Sequence, residues 1–213
     1  DRQGKRGNKI IGYVCFGNAG FYCHWSKLPE GRNWSIKSDK TFTPEESRAY
    51  AVQMQKARQL REAEEAKRRA ECRERARKIW EAAPDASDSH PYLVRKLVPS
   101  FGLKQSRGKL VVPVLDEADS LHGLQFISAD GTKKFLSGTA VAGHFAYIPG
   151  DKEVPYYVAE GYATAASVHM ATGAFVFICF SCGNLKAVAE VVRRNLPEKL
   201  IVVVADNDTG GEP

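Results

Sequence analysis

The 213 residues suffice for one large domain or two small ones. Hydrophobic residues make up 43% and charged residues 26%, a globular balance that excludes a disordered or fibrous chain. No apolar run approaches the roughly 18 residues of a membrane span, and the net charge of +6 is unevenly divided: residues 1–110 carry 24 Lys/Arg against 13 Asp/Glu, residues 111–213 only 7 against 12.

A basic half joined to an acidic half suggests a division of labour in which one part holds a polyanion and the other holds cations. The same basic half can also be a solvated, charge-rich helix that binds nothing. The opening Asp1–Lys9 stretch is charged, lacks an apolar core and has no initiator Met, so the chain is expected to be a piece of a longer protein without a secretory leader here. Five cysteines, Cys15, Cys23, Cys72, Cys179 and Cys182, do not make a disulfide framework. A reducing, cytoplasmic compartment is expected.

Residues 10–37 alternate aromatic and small residues, with turn signals at Gly17-Asn18 and Pro29-Glu30-Gly31, and predict three short antiparallel strands. Tyr22, Trp25 and Trp34 lie near Lys27, Arg32 and Lys37 in this segment. They can stack single-stranded bases, although the core of a small β unit is the expected use of such aromatics. Cys15, Cys23 and His24 match no usual zinc spacing, so zinc is not expected in this chain.

Thr43-Pro44-Glu45-Glu46 is a helix start, with a capping Thr, Pro at the first helical position and Glu three residues after the cap. A stretch without Gly or Pro then runs to about Ala83 and predicts one long helix. Its large apolar residues, Val52, Met54, Leu60, Ile79 and Trp80, sit toward the ends. The ends should therefore dock, while the charged middle, Arg61 to Lys78, should cross solvent as a strut. Acid–base pairs three or four residues apart support such a helix in water. Its basic surplus falls mostly after Lys67, so Arg68, Arg69, Arg73 and Arg77 are the candidate contacts to a polyanion's phosphates.

Pro84–Asp88 reads as a linker and Ser89–Lys96 as a short helix. Strands at Leu110–Leu115, Leu121–Ser128, Lys133–Leu136 and His144–Ile148 predict a small antiparallel β unit. From Val154 the rhythm changes: apolar strands at Tyr156–Ala159, Ala174–Phe180 and Leu200–Ala205 alternate with helices at Gly161–Thr172 and Leu185–Asn195. That alternation means a parallel sheet with crossovers. The fold class is thus α/β within an α+β whole, in four segments: a β unit (1–43), a long charged helix (44–83), a β-rich part (84–152) and a parallel-sheet part (153–213).

In open parallel sheets ligands bind beyond the carboxyl ends of the strands. The three strand ends here lead into Glu160-Gly161, Ser181-Cys182-Gly183-Asn184 and Asp206-Asn207-Asp208. Carboxylates converging on one sheet edge suit a hard cation, Mg²⁺ or Mn²⁺. A single Asp or Glu after a strand more often caps the next helix, but three at neighbouring strand ends favour the metal. Cys179-x-x-Cys182 places its first thiol within an apolar strand with no second pair, which favours a packed thiol. His169 lies at no useful spacing from another ligand and reads as structural.

An apolar strand ending in Glu-Gly, followed by one ending in Asp-x-Asp, resembles a Toprim domain, the metal-binding fold shared by bacterial-type primases, topoisomerases and some nucleases. Glu160-Gly161-Tyr162-Ala163-Thr164-Ala165 resembles the E-G-Y-A-T-A motif of primases carried by conjugative plasmids and satellite phages. Ser181–Leu185 is similar to that family's Gly-Asn-Leu turn and Ala205–Gly210 to its A-D-N-D-x-G; His90-Pro91-Tyr92-Leu93 and Phe145-Ala146-Tyr147 also fit. Leu110–Gly138 is similar to the strand layout before Toprim in bacterial replicative primases, including a Lys-Phe-Leu-Ser that resembles their K-Y-L-N-S. Two departures stand out. Thr164 occupies a position that is acidic in replicative primases, and the chain stops at Pro213, before the last helix and strand of a complete Toprim unit.

The resemblance implies metal-dependent synthesis of RNA primers on single-stranded DNA by the parent protein, for plasmid or phage replication. Glu160, Asp206 and Asp208 would be the catalytic and metal-binding carboxylates. Gly161, Gly183 and Asn184 would let phosphates approach backbone N–H groups, and Lys133, Lys134, Arg95 and Lys96 would hold triphosphate or template. Ribonucleoside triphosphates and a replicative helicase, fused or separate, are the implied partners. A Toprim nuclease uses similar carboxylates, and a non-catalytic nucleic-acid-binding module would rely on the basic helix; both remain alternatives.

Overall fold

The computed structural model describes residues 11–16, 19–24, 28–35 and 43–205, which fall in two compact units, residues 1–58 and 59–213. In the first unit, β1 (Ile11–Phe16), β2 (Ala19–His24) and β3 (Leu28–Ser35) form the expected antiparallel sheet. Pro29-Glu30-Gly31, expected as a turn, lies instead within β3. Tyr22 pairs with Arg32 and His24 with Leu28, so extra residues bulge from β3 opposite Cys23. Gly31 takes φ +69° there, and a Cβ on it would lie 2.0 Å from the Phe21 ring. Only glycine meets both demands. Tyr22 is 39% exposed and Trp34 half-buried, so the aromatic residues do not all turn into a core. Trp25, Lys27 and Lys37 lie outside the described residues, as does the Gly17-Asn18 turn.

The long helix α1 runs Pro44–Ala82, beginning at its proline as expected. The docking pattern differs from the sequence reading. Val52 and Leu60 are 64% and 59% exposed, whereas Cys72 and Ala76, in the charged middle, are fully buried. Small side chains let the helix backbone approach the sheet closely, so Ala76 packs with Val111 and Leu124, flanked by Ile79 and Trp80. The Arg75 guanidinium donates to the Ser137 carbonyl (2.7 Å), and Lys104 reaches the Trp80 carbonyl (2.8 Å) across the Trp80 ring.

In the second unit, β4 (Lys104–Ser106), β5 (Lys109–Leu115), β6 (Leu121–Ile127) and β7 (Lys133–Phe135) form an antiparallel sheet in that order. The Pro84–Asp88 stretch is not a free linker: Ala86 and Gln105 exchange backbone hydrogen bonds with Leu103 and Pro84, and Asp85 bridges Lys104. Strand β8 (Ala146–Ile148), expected in this antiparallel unit, belongs to a second sheet of order β11-β9-β10-β8. There β9 (Tyr156–Ala159), β10 (Val176–Ile178) and β11 (Ile201–Val204) are parallel, and β8 runs antiparallel beside β10. Helix α3 (Tyr162–Thr172) connects β9 to β10, and α4 (Cys182–Asn195) connects β10 to β11.

One core spans both sheets. Leu110, Val112 and Val114 of β5 pack with Ile148, Ala159, Ile178 and the α3 residues Tyr162, Ala165 and Ala166. The other face of the parallel sheet, with Val158, Phe177 and Cys179, is covered by Val188 and Val192 of α4. Because β5 buries both faces, against α1 on one side and the second sheet on the other, its sequence is a near-continuous apolar run.

Gly138 marks a close approach of α1 to the loop after β7. It has φ +96°, and an added Cβ would lie 2.9 Å from Cys72 Cβ and 3.0 Å from the Arg68 carbonyl. Gly138→Ala combines a strained backbone with an overlap on a helix backbone, and is expected to cost on the order of 2–3 kcal/mol. A urea midpoint lowered at unchanged m-value would show it.

At the far end of β5, Asp116 Oδ1 accepts from the N–H groups of Ala118 and Ser120 (both 2.9 Å), and its Oδ2 lies 2.8 Å from His122 Nε2. Burial alone would raise the Asp116 carboxyl, but the His122 and backbone hydrogen bonds outweigh it and hold the carboxyl below its usual range. The His144 ring lies tilted against that of His122, centroids 4.2 Å apart; burial, and then the charge of His122, push its imidazole down. Both folded-state values lie below the unfolded ones, so both contributions are present at neutral pH and lost on acidification. Loss begins as pH falls below the ordinary imidazole value of about 6.5 and continues into the carboxylate range near 4. The urea midpoint should fall between pH 7.5 and 5.5, and His144→Gln should flatten that fall.

Candidate active site

The parallel strands carry the site to one edge. Chain order reverses about β9: α3 leads from it to β10 on one side, and α4 returns across to β11 on the other. Such a reversal opens a crevice at the carboxyl ends of the strands. Ala159, the last residue of β9, pairs with Val204, the last of β11. The chain therefore reaches Glu160 and Ala205 at the same edge of two neighbouring strands. Asp206 and Asp208 follow in sequence but lie outside the described residues.

Glu160 opens onto a cleft of about 390 Å³. Helix α2 (Pro91–Lys96) contributes Tyr92, Arg95 and Lys96; the β6–β7 turn contributes Asp130 and Gly131; Lys133 comes from β7 and Gly161, Ala163 and Thr164 from the start of α3. Four of the expected phosphate-site residues, Gly161, Arg95, Lys96 and Lys133, thus meet around Glu160 although they are spread along the chain from 95 to 161. The Lys133 ammonium would lie 2.9 Å from a Cβ on Gly161. Gly161 caps α3 with extended backbone and no side-chain hydrogen bond; in the first turn the Ala163 N–H is taken by the Tyr92 hydroxyl, and its neighbours are the N–H groups an anion could meet. Arg95 Nη1 donates to the Ala129 carbonyl (2.8 Å), and its guanidinium lies 5.8 Å from the Tyr92 ring centre. The Asp130 carboxylate accepts from the Thr132 N–H (2.9 Å) and hydroxyl, and these bonds hold it below its usual range.

Other expected site residues are placed elsewhere. Lys134 follows Lys133 on a strand and so points to the opposite face; it pairs across with Phe126, on the side of α1. Gly183 lies in the first turn of α4, with open space where a Cβ would be, but outside the cleft. Asn184 is 5% exposed and fully engaged: Oδ1 accepts from the Gly143 N–H (2.8 Å), and Nδ2 donates to the carbonyls of Val141, His144 and Cys179 (2.9–3.0 Å). It clasps the 141–144 loop to the end of β10 and presents no free donor to a phosphate.

Tyr92, Asp130 and Thr164 were not singled out from the sequence as site residues. Tyr92 sits in the His-Pro-Tyr-Leu string, and Thr164 one helical turn after Glu160, so spacing alone places it on the same face. Motif residues also serve as scaffold. His90 accepts the Tyr92 N–H (3.3 Å) to start α2, and the buried Tyr162 hydroxyl donates to the Pro99 carbonyl (2.8 Å). His169 is structural as expected, with Nδ1 2.8 Å from the Ala174 carbonyl and its ring edge-on to Phe101. Cys179 is the packed thiol of the sequence reading: burial pushes it up to about 11, and it donates to the Ser181 carbonyl (3.3 Å).

Among the described residues no group of three or more His, Cys, Asp or Glu side chains can hold a metal ion. Glu160 alone of the three expected carboxylates is described. Its half-buried carboxylate stands at the carboxyl edge of β9, beside the end of β11, a setting whose hard oxygen donor fits a divalent cation. Among the described residues no helix is long and apolar enough to cross a membrane.

Comparison with known proteins agrees with this geometry. Residues 156–212 match the Toprim domain. Two curated proteins named DNA primase TraC, both from Escherichia coli, are each 27% identical to the chain, over 215 and 207 aligned residues. These cover 98% and 89% of this chain but only 20% and 14% of the two relatives, so the chain spans a fifth of their length or less. No solved structure matches. The stretch that matches the Toprim domain holds the three parallel strands with Glu160 at their carboxyl edge, and the chain that carries it is similar over nearly its whole length to proteins named DNA primase.

Proposed function

We propose that this chain is the catalytic part of a metal-dependent primase that synthesises RNA primers on single-stranded DNA for plasmid or phage replication, in the cytoplasm. The observation that supports it is the cleft in which Glu160 stands among Arg95, Lys96 and Lys133 at the start of α3. Three cations at the N-terminal turn of a helix suit a triphosphate. Glu160, Asp206 and Asp208 would hold Mg²⁺ or Mn²⁺, which when bound lowers the pKa of a primer 3′-hydroxyl and steadies the triphosphate. The chain's own groups do the positioning. Lys133 and Lys96 neutralise phosphate oxygens, Arg95 is oriented by its bond to Ala129, and Gly161 leaves the backbone bare beside the phosphates. A replicative helicase, fused or separate, would supply the single strand.

The test is incorporation of labelled ribonucleotides on single-stranded DNA by this chain and by the full-length parent, with and without Mg²⁺ or Mn²⁺. Metal-dependent primers are expected. Shortening of the DNA without synthesis would identify a nuclease, and strand binding with neither reaction a binding module.

The template path along α1 makes a separate prediction. Arg69 is ion-paired with Glu65, and Arg77 with Glu74 (3.0 Å) and Glu81 (2.9 Å). Arg68 and Arg73 have no such pairing among the described residues. Replacing Arg68, Arg69, Arg73 and Arg77 with Gln should weaken single-strand binding, and Arg68 and Arg73 should account for most of the loss. Two lost phosphate contacts would flatten the logarithmic salt slope by about 1.4. Unchanged affinity and slope would make the helix a spacer.

A further inference from the structure

The β1–β3 sheet has two unlike faces. On one, Cys23 is buried and the Phe21 ring lies over Gly31. The other carries a row across all three strands: Tyr13 pairs with Tyr22, and Tyr22 with Arg32. Tyr13 is 74% and Tyr22 39% exposed, and Arg32 is exposed beside them. Trp34, paired with the bare Gly20, flanks the row on the same face. Two neighbouring exposed tyrosines are an apolar surface that water disfavours, yet each ring carries a polar hydroxyl and the row ends in a guanidinium. That chemistry suits a ligand with flat π faces and negative charges between them. The surrounding unit has the matching charge: residues 1–58 hold eleven Lys/Arg against five Asp/Glu. Neighbouring strands lie about 4.8 Å apart, so a row across three strands spans about 10 Å, enough for two successive unstacked bases and the adjoining phosphate.

We infer that the face of the β1–β3 sheet carrying Tyr13, Tyr22 and Arg32 is a stacking platform for single-stranded DNA, with bases on the two tyrosines and a phosphate on Arg32. The inference rests on the reading of the chain as a protein that engages a single-stranded template, and it names a contact surface apart from the Glu160 cleft and from α1. Recognition is by ring faces and charge, so it tolerates any base sequence.

The experiment is binding of a fluorescent oligothymidylate to the whole chain, followed by anisotropy over a range of salt. Tyr13→Ala with Tyr22→Ala should weaken binding at least tenfold, because each stacked base contributes substantially to affinity. Tyr13→Phe with Tyr22→Phe should bind within about twofold of wild type, since the ring faces remain. Arg32→Gln should lower the salt slope by about 0.7. In the unsubstituted chain, photo-crosslinking of an iododeoxyuridine oligonucleotide should label Tyr13 or Tyr22, a readout that no folding defect can mimic. An alanine pair that binds as wild type, a phenylalanine pair as weak as the alanine pair, or crosslinks confined to other segments would overturn the inference while leaving the primase reading intact. In that case the face is one that another protein segment covers. Wild-type chain that binds no oligonucleotide at all would overturn the template reading itself, and this inference with it.

Discussion

Glu160→Gln is expected to reduce ribonucleotide incorporation by the parent protein by about 100-fold or more, the scale on which losing a preorganised transition-state charge acts. The substitution keeps the shape of the side chain and removes only its charge. Glu160 stands in an open cleft that also holds Arg95, Lys96, Lys133 and Asp130. Water can therefore screen the cations left behind, and the thermal midpoint should move little. Nucleotide binding separates this reading from a merely structural one. If the cleft receives a triphosphate as proposed, removing a negative charge from it should hold or tighten metal-free nucleotide affinity while the rate collapses, a fall in kcat rather than a rise in KM. Asp208→Asn should act in the same direction if the two carboxylates share an ion. Synthesis within a few-fold of wild type in both variants would remove these residues from the catalytic role.

The carboxyl-terminal half was legible because its pattern is redundant. Tyr156–Ala159, Val176–Ile178 and Ile201–Val204 are apolar on both faces, and each is followed by Gly-containing turns or helical spacing, so both strand type and parallel pairing could be read. The cleft was partly legible. Glu160, Gly161, Arg95, Lys96 and Lys133 were all named as candidates, but nothing in the sequence says that α2 lies across from α3. That meeting depends on the shared core of Leu93, Val112 and Tyr162. Lys134 was separable from Lys133 by the two-residue period of a strand.

What was misread has local causes. Strand β4, Lys-Gln-Ser, is half-buried with no apolar residue, so it carries no hydrophobic signal. Strand β8 looks like its antiparallel predecessors, and only the tertiary pairing of Ile148 with Val176 assigns it to the other sheet. The docking of α1 was invisible because hydrophobic patterning weighs large side chains, and here the contact is made by Cys72 and Ala76.

Asn184 supplies the largest expected stability effect. From sequence it is a candidate phosphate contact in a Gly-Asn turn; in the fold its buried amide joins four backbone groups, three of them in the 141–144 loop and one at Cys179. Asn184→Ala strands these groups without partners in a site too buried for easy rehydration. Each unsatisfied buried group costs on the order of 1–3 kcal/mol, so a total loss of about 3 kcal/mol or more is expected even after partial relaxation. Asn184→Asp tests the direction of the hydrogen bonds. It retains an acceptor for the Gly143 N–H but turns a carboxylate toward the carbonyls of Val141, His144 and Cys179, where only a donor is tolerated. It should therefore destabilise more than alanine at neutral pH. The gap between the two should narrow on acidification, because a protonated carboxyl regains one donor. Denaturant unfolding of both variants at pH 7.5 and 5 measures this directly. If instead Asn184→Ala leaves the unfolding midpoint unchanged and lowers nucleotide affinity, the residue serves the ligand and not the loop.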